Sequence, residues 1–248
     1  MKSSLLLSAQ IGFIVLTLVY FHFLLRALKR GIESTNWDSA RKSRSSFRLY
    51  AIPAAILLFV TAWSLSGIMA DFSKFPFNFM PVLAVPLIAA VVLTFSPAFN
   101  EILKHVPQSS LITLQSFRFF VEILLWLLFL NASVPEQMTF EGRNFDILAG
   151  VTGPIVGWFL VRKKISRLGL AVWNIACLGL LINIVTIAIL STPSPIRVFM
   201  QEPANTIVTY FPISLLPGML VPLAYTLHFF SLRKLATDKQ LTGIPSLH

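Results

Sequence analysis

Seven long apolar runs dominate the 248-residue chain, and most of them approach the roughly 20 residues that a helix needs to cross a bilayer. They lie at about residues 5–25, 49–70, 77–99, 111–131, 145–161, 168–190 and 207–231. Lipid offers no hydrogen-bond partners, so the backbone of such runs must be helical or buried in protein. A membrane β-barrel would need alternating residues, which these runs lack. We therefore predict an all-α, polytopic membrane protein, a seven-transmembrane-helix bundle forming one domain over residues 1–248.

Composition supports a lipid environment over most of the surface. Hydrophobic residues make up 56% of the chain, charged residues 12%, and the mean hydropathy is +0.77. This leaves too little polar surface for a water-soluble globule and argues against a soluble enzyme. The single cysteine, Cys177, has no partner for a disulfide or a thiolate metal site within one chain. The first apolar run is longer than the core of a secretory signal, and Arg26 follows it, so we expect a retained helix.

The basic residues predict the orientation. Fifteen lysines and arginines follow the first, third, fifth and seventh runs, whereas four lie on the opposite side, and Arg118 falls within a run. The positive-inside rule then places the N-terminus outside and the C-terminus in the cytoplasm of a cell membrane. An even number of helices would spoil this alternation. The basic face is expected to attract anionic lipid, and the sequence favours no nucleic acid partner. A second copy or another protein remains open as a partner.

The strongest local signal lies in the fourth run. Gln115, Arg118 and Glu122 are spaced i, i+3 and i+7, so they share one helix face. Charges at this depth are costly unless they face the bundle interior, where Arg118 and Glu122 either compensate one another or meet partners on neighbouring helices. We expect an ion or ligand pathway here; the alternative is an ion pair that only fixes helix packing.

Two histidines lie at similar depth in the first and last runs. His22 and His228 are each four or five residues from the predicted inner end of their helix. If the first and last helices are neighbours, the two rings are candidates to share a metal, a proton or a haem iron. Two ligands have no diagnostic spacing, so unrelated interfacial histidines are the alternative. In the sixth run, Asn174 and Asn183 fall on opposite faces and are expected to bond to different partners.

The fifth and seventh runs are irregular. The fifth is interrupted by three glycines and a proline, namely Gly150, Gly153, Pro154 and Gly157. It therefore suits either a short span or a re-entrant segment. The seventh has prolines at five-residue intervals and is expected to be kinked at Pro212, Pro217 and Pro222. Broken helices commonly line transporter sites, so the pathway candidates include Tyr210, Pro217, Gly218 and Tyr225.

Polar residues are concentrated in the loop before the fifth run. Glu141, Arg143, Asn144 and Asp146 lie on the predicted outer side and are candidates to receive a ligand or calcium. The loop has no D-x-D spacing, so an ordered cap without a ligand is the alternative.

Seven helices with an external N-terminus resemble retinal proteins and G-protein-coupled receptors in topology. The seventh run contains no lysine, which excludes a retinal Schiff base there, and no receptor motif is present. The sequence therefore leaves the cofactor unknown. It favours a small-molecule or ion transporter or channel around the fourth and seventh helices. A non-catalytic sensor or membrane-complex subunit is one alternative, and an intramembrane enzyme or haem-binding electron carrier is the second.

Overall fold

The computed structural model describes residues 2–237, and helices form all of the regular structure in that range. The helical content is 76%. The α-helices are α1 (Lys2–Glu33), α2 (Ser39–Leu65), α3 (Met80–Phe95), α4 (Pro97–Lys104), α5 (Gln108–Thr113), α6 (Phe117–Leu130), α7 (Ile147–Val161), α8 (Arg167–Leu190) and α9 (Val221–Thr237). A 3₁₀ turn at Leu114–Ser116 joins α5 to α6, and a π turn at Leu216–Leu220 leads into α9.

Four helical segments within residues 2–237 are long and apolar enough to cross a membrane. They are α1, α2, the continuous run Gln108–Leu130 and α8. A fifth is added if α3 and α4, which are bent by 75° at their junction, form one broken span. The apolar α7 is shorter, at 15 residues. The prediction of an all-helical membrane protein is thus confirmed, whereas the count of seven crossings stays a prediction.

Local chemistry explains where the helices begin and bend. Asp38 caps α2, since its Oδ1 accepts a hydrogen bond from the Arg41 backbone N–H at 2.7 Å. Ser166 caps α8 in the same way, accepting from Gly169 at 3.0 Å. Ser96 has extended φ and ψ of −65° and 126° because the ring of Pro97 disfavours the helical conformation in the residue before it. This residue separates α3 from α4 and produces the bend.

The buried core lies between α1, α6, α9 and α3. Gly12 of α1 lets the helix approach α6, because a Cβ at this position would overlap the Leu124 side chain. Tyr20 and Ser116 are joined by a hydrogen bond of 2.8 Å between their hydroxyl oxygens. Small residues at helix contacts are typical of membrane proteins. In lipid the hydrophobic effect does not drive helices together, so helix association depends on close backbone packing instead.

The seventh run differs from its prediction. Residues 207–215 are mostly 3₁₀ and turn structure, so Pro212 precedes the helix rather than kinking it. Pro222 lacks an N–H, and its ring would clash with the carbonyl of Gly218 in a regular α-helix. The π turn relieves this conflict, with Val221 N–H bonding to the Leu216 carbonyl.

The last helix also continues beyond the predicted end at residue 231. It reaches Thr237 and includes Lys234, which is buried near its C-terminus. The Lys234 ammonium donates to the carbonyls of Leu103 and Lys104 at 2.9 and 2.8 Å, at the C-terminal end of α4. The absence of lysine therefore holds for residues 207–231 but not for the whole helix.

A buried polar cluster at mid-membrane

A paired arginine and aspartate form the centre of the site. Arg118 Nε donates to Asp146 Oδ2 at 2.7 Å, and Arg118 Nη2 donates to Asp146 Oδ1. Nη2 also donates to the Cys177 carbonyl at 3.0 Å. Arg118 is 1% exposed and Asp146 is 4% exposed, so the pair is shielded from both lipid and water. A bidentate guanidinium–carboxylate contact fixes orientation as well as charge.

The pair lies near the middle of its span. Arg118 is ten residues from one end of Gln108–Leu130 and twelve from the other. At about 1.5 Å per residue, these lengths are about 15 and 18 Å. Arg118 therefore lies close to the bilayer centre if the segment crosses it.

His228 is a further hydrogen-bond partner of Arg118, and the groups on either side of the imidazole ring define the tautomer of His228. Arg118 Nη1 lies 2.9 Å from His228 Nε2, and His228 Nδ1 lies 2.9 Å from Asn174 Oδ1. Asn174 Nδ2 donates to the Leu170 carbonyl at 2.9 Å, which orients the amide. Guanidinium only donates and an amide oxygen only accepts. His228 is therefore neutral, with the proton on Nδ1 and with Nε2 accepting from Arg118.

Glu122 is buried one helical turn from Arg118 but pairs with an amide. Asn144 Nδ2 lies 2.7 and 2.6 Å from the two carboxylate oxygens of Glu122 and donates to the Met138 carbonyl at 3.0 Å. No Lys, Arg or His nitrogen in residues 2–237 forms an ion pair with Glu122. With neutral His228, one arginine against two carboxylates leaves a formal charge of −1. An isolated buried carboxylate is strongly disfavoured, so the site needs a proton or a monovalent cation.

The α7 helix starts at this cluster because three glycines let it pack against the span Gln108–Leu130. A Cβ at Gly150 would overlap the backbone of Phe119, one at Gly153 would lie 2.9 Å from the Ile112 carbonyl oxygen, and one at Gly157 would overlap Thr113. These contacts align α7 antiparallel to the span from the level of Phe119 to that of Thr113. The glycines predicted to interrupt the run thus form the packing face of a continuous helix.

The segment before α7 is largely buried in the bundle, and its regular structure is limited to one 3₁₀ turn at Glu136–Met138. Gln137, Met138, Thr139 and Asn144 are all buried. Asn144 Oδ1 accepts from the Asp146 N–H at 3.0 Å, which forms a tight polar turn immediately before α7. Irregular backbone at membrane depth is tolerated only when protein surrounds it, and here the side chains of α6 and α8 do so. The fifth run itself is helical from Ile147 to Val161, and the irregular backbone lies before it.

The π turn before α9 lies on another side of the same cluster. Gln115 Nε2 donates to the Ala224 carbonyl at 3.2 Å, and Gln108 Nε2 donates to Ser231 Oγ at 2.7 Å. These bonds align α9 antiparallel to the span, so Leu216–Leu220 lies near the level of Glu122. Two helices, α7 and α9, thus begin beside the buried charges.

A small cavity borders the charged groups. Its volume is about 70 Å³, and its lining includes Arg118, Glu122 and Asp146 together with Pro217 of the π turn. Most other lining residues are aliphatic or aromatic. Asn205 also lines it, is 1% exposed, and has an Oδ1 with no partner in the described part of the chain. A water needs at least about 10–15 Å³ of such a cavity, so this one has room for a few waters or one small cation.

The structure brings together residues that the sequence placed in separate groups. Gln115, Arg118 and Glu122 face the interior, as their spacing predicts. Asn144 and Asp146, expected in an exposed outer loop, are instead buried against Glu122 and Arg118.

The other outer-loop candidates stay apart from the cluster. Glu141 is exposed and accepts from Trp126 Nε1 at 2.7 Å, while the exposed Arg143 lies over the Phe199 ring at 5.5 Å. The four candidates therefore do not form one ligand or calcium site. Within residues 2–237, no group of three or more His, Cys, Asp or Glu has a metal-binding arrangement.

The predicted pairing of the two histidines is wrong. His22 is exposed and contacts Phe23, with 5.8 Å between ring centroids, whereas His228 is fully buried in the polar cluster. The reason is rotational: His22 points away from the face of α1 that packs on α6.

The candidates of the seventh run also separate. Tyr210 is 52% exposed and lies before the π turn. Tyr225 is half-buried against Phe229, with 5.9 Å between ring centroids. Gly218 packs on Val60, which a Cβ would approach to 2.6 Å. Only Pro217 of this group lines the 70 Å³ cavity.

Sequence reasoning missed Asn174 as a member of the site. The signal was present in part, because Asn174 and Asn183 were predicted to have different partners, and Asn183 Nδ2 indeed donates to the Arg143 carbonyl at 2.9 Å. A second signal was that two carboxylates, Glu122 and Asp146, face one arginine at this depth. This signal could be used only once Asp146 was known to be buried.

A family model described as "Domain of unknown function (DUF8737)" matches residues 74–236. This range contains every member of the polar cluster and begins after α2. No curated protein and no solved structure matches the chain significantly.

Proposed function

The chain belongs to the DUF8737 family, whose description names no activity, and we propose from the structure that it is a transporter coupled to a proton or a monovalent cation. The observation that carries the proposal is the buried carboxylate of Glu122. It has an amide partner but no basic partner among residues 2–237, and it lies at mid-span beside a cavity. Intramembrane ionisable groups commonly mark ion pathways and proton relays.

The irregular segments before α7 and α9 support transport. Both α7 and the π turn before α9 start at the level of the cluster, and irregular buried segments precede them. Discontinuous helices at the midplane place backbone groups and helix ends at the substrate or ion, and neighbouring elements can rock around them. The cavity of about 70 Å³ lies directly beside these irregular segments and the charged groups, where such a carrier would bind its ion or substrate.

The coupling groups have distinct roles in this proposal. Glu122 binds the proton or cation, and Asn144 orients its carboxylate. Asp146 holds Arg118 in place, while the remaining Nη1 hydrogen of Arg118 can donate to a substrate in the cavity. A proton on Glu122 makes the cluster of Arg118, Asp146 and Glu122 electrically neutral. A neutral cluster is less costly to keep in a low-dielectric interior while the carrier changes conformation.

The topology proposed with this function has seven crossings, an external N-terminus and a cytoplasmic C-terminus in the cell membrane. The bent α3–α4 pair, the short α7 with the irregular segment before it, and α9 with its π turn are the three crossings beyond the four long helices. Anionic lipid is attracted to the basic side. Alkaline-phosphatase fusions test this: we expect no activity after residue 165 and activity after residue 200. The reverse pattern would contradict the orientation.

Currents from proteoliposomes on a solid-supported membrane test the function. Steps of pH, Na⁺, K⁺ and a panel of small carboxylates, amines and neutral solutes should produce a transient current in the wild type for at least one condition. Glu122→Gln keeps the shape and removes the carboxylate, so it should abolish the current. Glu136→Gln is the matched control, because Glu136 is exposed and outside the cluster.

Equal currents in the wild type and Glu122→Gln would contradict the proposal. The absence of current in the wild type under every condition would also contradict it. The polar cluster would then be better explained as part of a non-catalytic sensor or membrane-complex subunit.

A further inference from the structure

A second cavity, much larger than the first, opens between the N-terminal helices and the rest of the bundle. It has a volume of about 470 Å³, within the roughly 300–1,000 Å³ of small-molecule sites. Its walls come from α1, α2, α3, α4 and α9. Ile52 is 49% exposed and Val92 is 66% exposed, and both line it, so the groove is open sideways to lipid rather than to water.

The groove has one polar end. The α2 residues that line it run from Ser45 and Arg48 to Ile56, and all those after Arg48 are apolar. Thr226 also lines the groove, but its hydroxyl donates to the Pro222 carbonyl at 2.7 Å and is satisfied within its own helix. The chemistry therefore changes along the groove from a basic end to a hydrocarbon interior.

Arg48 is available for a ligand. It is exposed and has no hydrogen bond, ion pair or ring contact with another residue in the range 2–237. Arg41, Lys42 and Arg44 lie in the first two turns of the same helix, so positive charge is concentrated at this end. A basic end on an apolar groove is complementary to an anionic amphiphile.

The length of the groove identifies the class of amphiphile. Its lining extends over residues 21–32 of α1 and 45–56 of α2. Eleven residue steps at about 1.5 Å give about 16 Å, close to half of the roughly 30 Å hydrocarbon core. A transmembrane helix of a partner would need the whole thickness, whereas a lipid chain occupies one leaflet.

We propose that this groove binds one anionic phospholipid, with an acyl chain between α1, α2, α3 and α9 and its phosphate at Arg48. The site is distinct from the general attraction of a basic surface for lipid, because it selects both chain and headgroup. Gly218 and Met219 of the π turn form part of its wall, while Leu216, Pro217 and Leu220 of the same turn line the polar cavity. The bound chain thus packs against the element that borders Glu122.

Native mass spectrometry of the full-length protein in detergent tests the proposal. Phosphatidylglycerol and phosphatidylcholine with identical acyl chains are the probes, since they differ in headgroup charge. The wild type should retain one phosphatidylglycerol in preference to phosphatidylcholine. Arg48→Gln should reduce that retention at least about fivefold, the equivalent of one basic contact at a membrane surface.

Matched variants separate this site from surface charge. Arg162→Gln removes an exposed arginine that does not line the groove and should leave retention unchanged. Ala89→Phe fills the groove and should abolish retention of the lipid, whereas Ala84→Phe, on the same helix but outside the lining, should not. Equal retention of the two lipids by the wild type, or an unchanged Arg48→Gln or Ala89→Phe, would overturn the proposal.

Discussion

Removing the charge of Asp146 is the most informative perturbation of the polar cluster. Asp146→Asn preserves the shape of the side chain but removes the carboxylate that pairs directly with Arg118, which is 1% exposed. An amide also presents one acceptor and one donor where Arg118 needs two acceptors. The variant therefore leaves a buried guanidinium partly unpaired, near the middle of a membrane span.

The expected loss is large. Breaking a buried ion pair by removing one partner costs about 3–5 kcal/mol. At about 2–4 °C per kcal/mol for a chain of this size, Tm should fall by about 6–20 °C. Thermal unfolding of the purified protein in detergent, followed by intrinsic tryptophan fluorescence, measures this shift.

Glu122→Gln is the control, because Glu122 is an equally buried carboxylate that pairs with no basic residue in the range 2–237. A glutamine can accept the same hydrogen bond from Asn144 and removes the unpaired charge, so Tm should fall by no more than a few degrees or should rise. Equal shifts for the two variants would refute the assignment of Asp146, rather than Glu122, as the partner of Arg118. The double variant Arg118→Met/Asp146→Asn should be less unstable than the sum of its single variants, since both members of the ion pair are removed together and neither is left without the other.

Three further predictions follow from particular contacts. His228→Ala should cost about 1–3 kcal/mol, because it leaves Asn174 Oδ1 and an Arg118 N–H without partners, whereas His22→Ala at an exposed position should leave Tm unchanged. Gly150→Ala should destabilise by about 1–3 kcal/mol because its Cβ overlaps the Phe119 backbone, whereas Gly179→Ala, with open space around it, should stabilise by about 0.5–1 kcal/mol; thermal unfolding measures both. In the loop after α8, a hydrogen bond from Arg197 at 3.0 Å lowers the pKa of Glu202, so this contact stabilises the loop above the ordinary carboxyl pKa and is lost as pH falls through the lowered value. Arg197→Gln should raise the pKa of Glu202, and a ¹³C NMR titration of labelled glutamate that shows no upward shift would contradict this.

Periodicity predicted one face of the site correctly. Gln115, Arg118 and Glu122 share a helix face because of the 3.6-residue repeat, and the cost of exposing charge to lipid directs that face inward. The same reasoning could not predict which groups contact that face. Arg118 is 28 residues from Asp146 and 110 from His228 along the chain, and no local rule relates those separations to contact.

The glycines and prolines show why irregular runs are harder to interpret. Gly150 was equally compatible with a break in the helix and with close packing, because a glycine permits both. Pro222 was expected to kink a long helix, but the chain accommodates it with the π turn Leu216–Leu220, and α9 begins directly after that turn, at Val221. The energetic difference between these solutions depends on neighbouring helices.

The sequence by itself determined that the chain is helical and apolar, with charge inside the bundle at Arg118 and Glu122, because the cost of placing polar groups in lipid depends on local composition. Only the tertiary structure decided that Asp146 neutralises Arg118, that Glu122 has no basic partner in the described part of the chain, and that α7 and α9 begin beside them. Those outcomes depend on the rotation and depth of each helix. Packing of small residues such as Gly150 sets both, through contacts between residues distant in the chain.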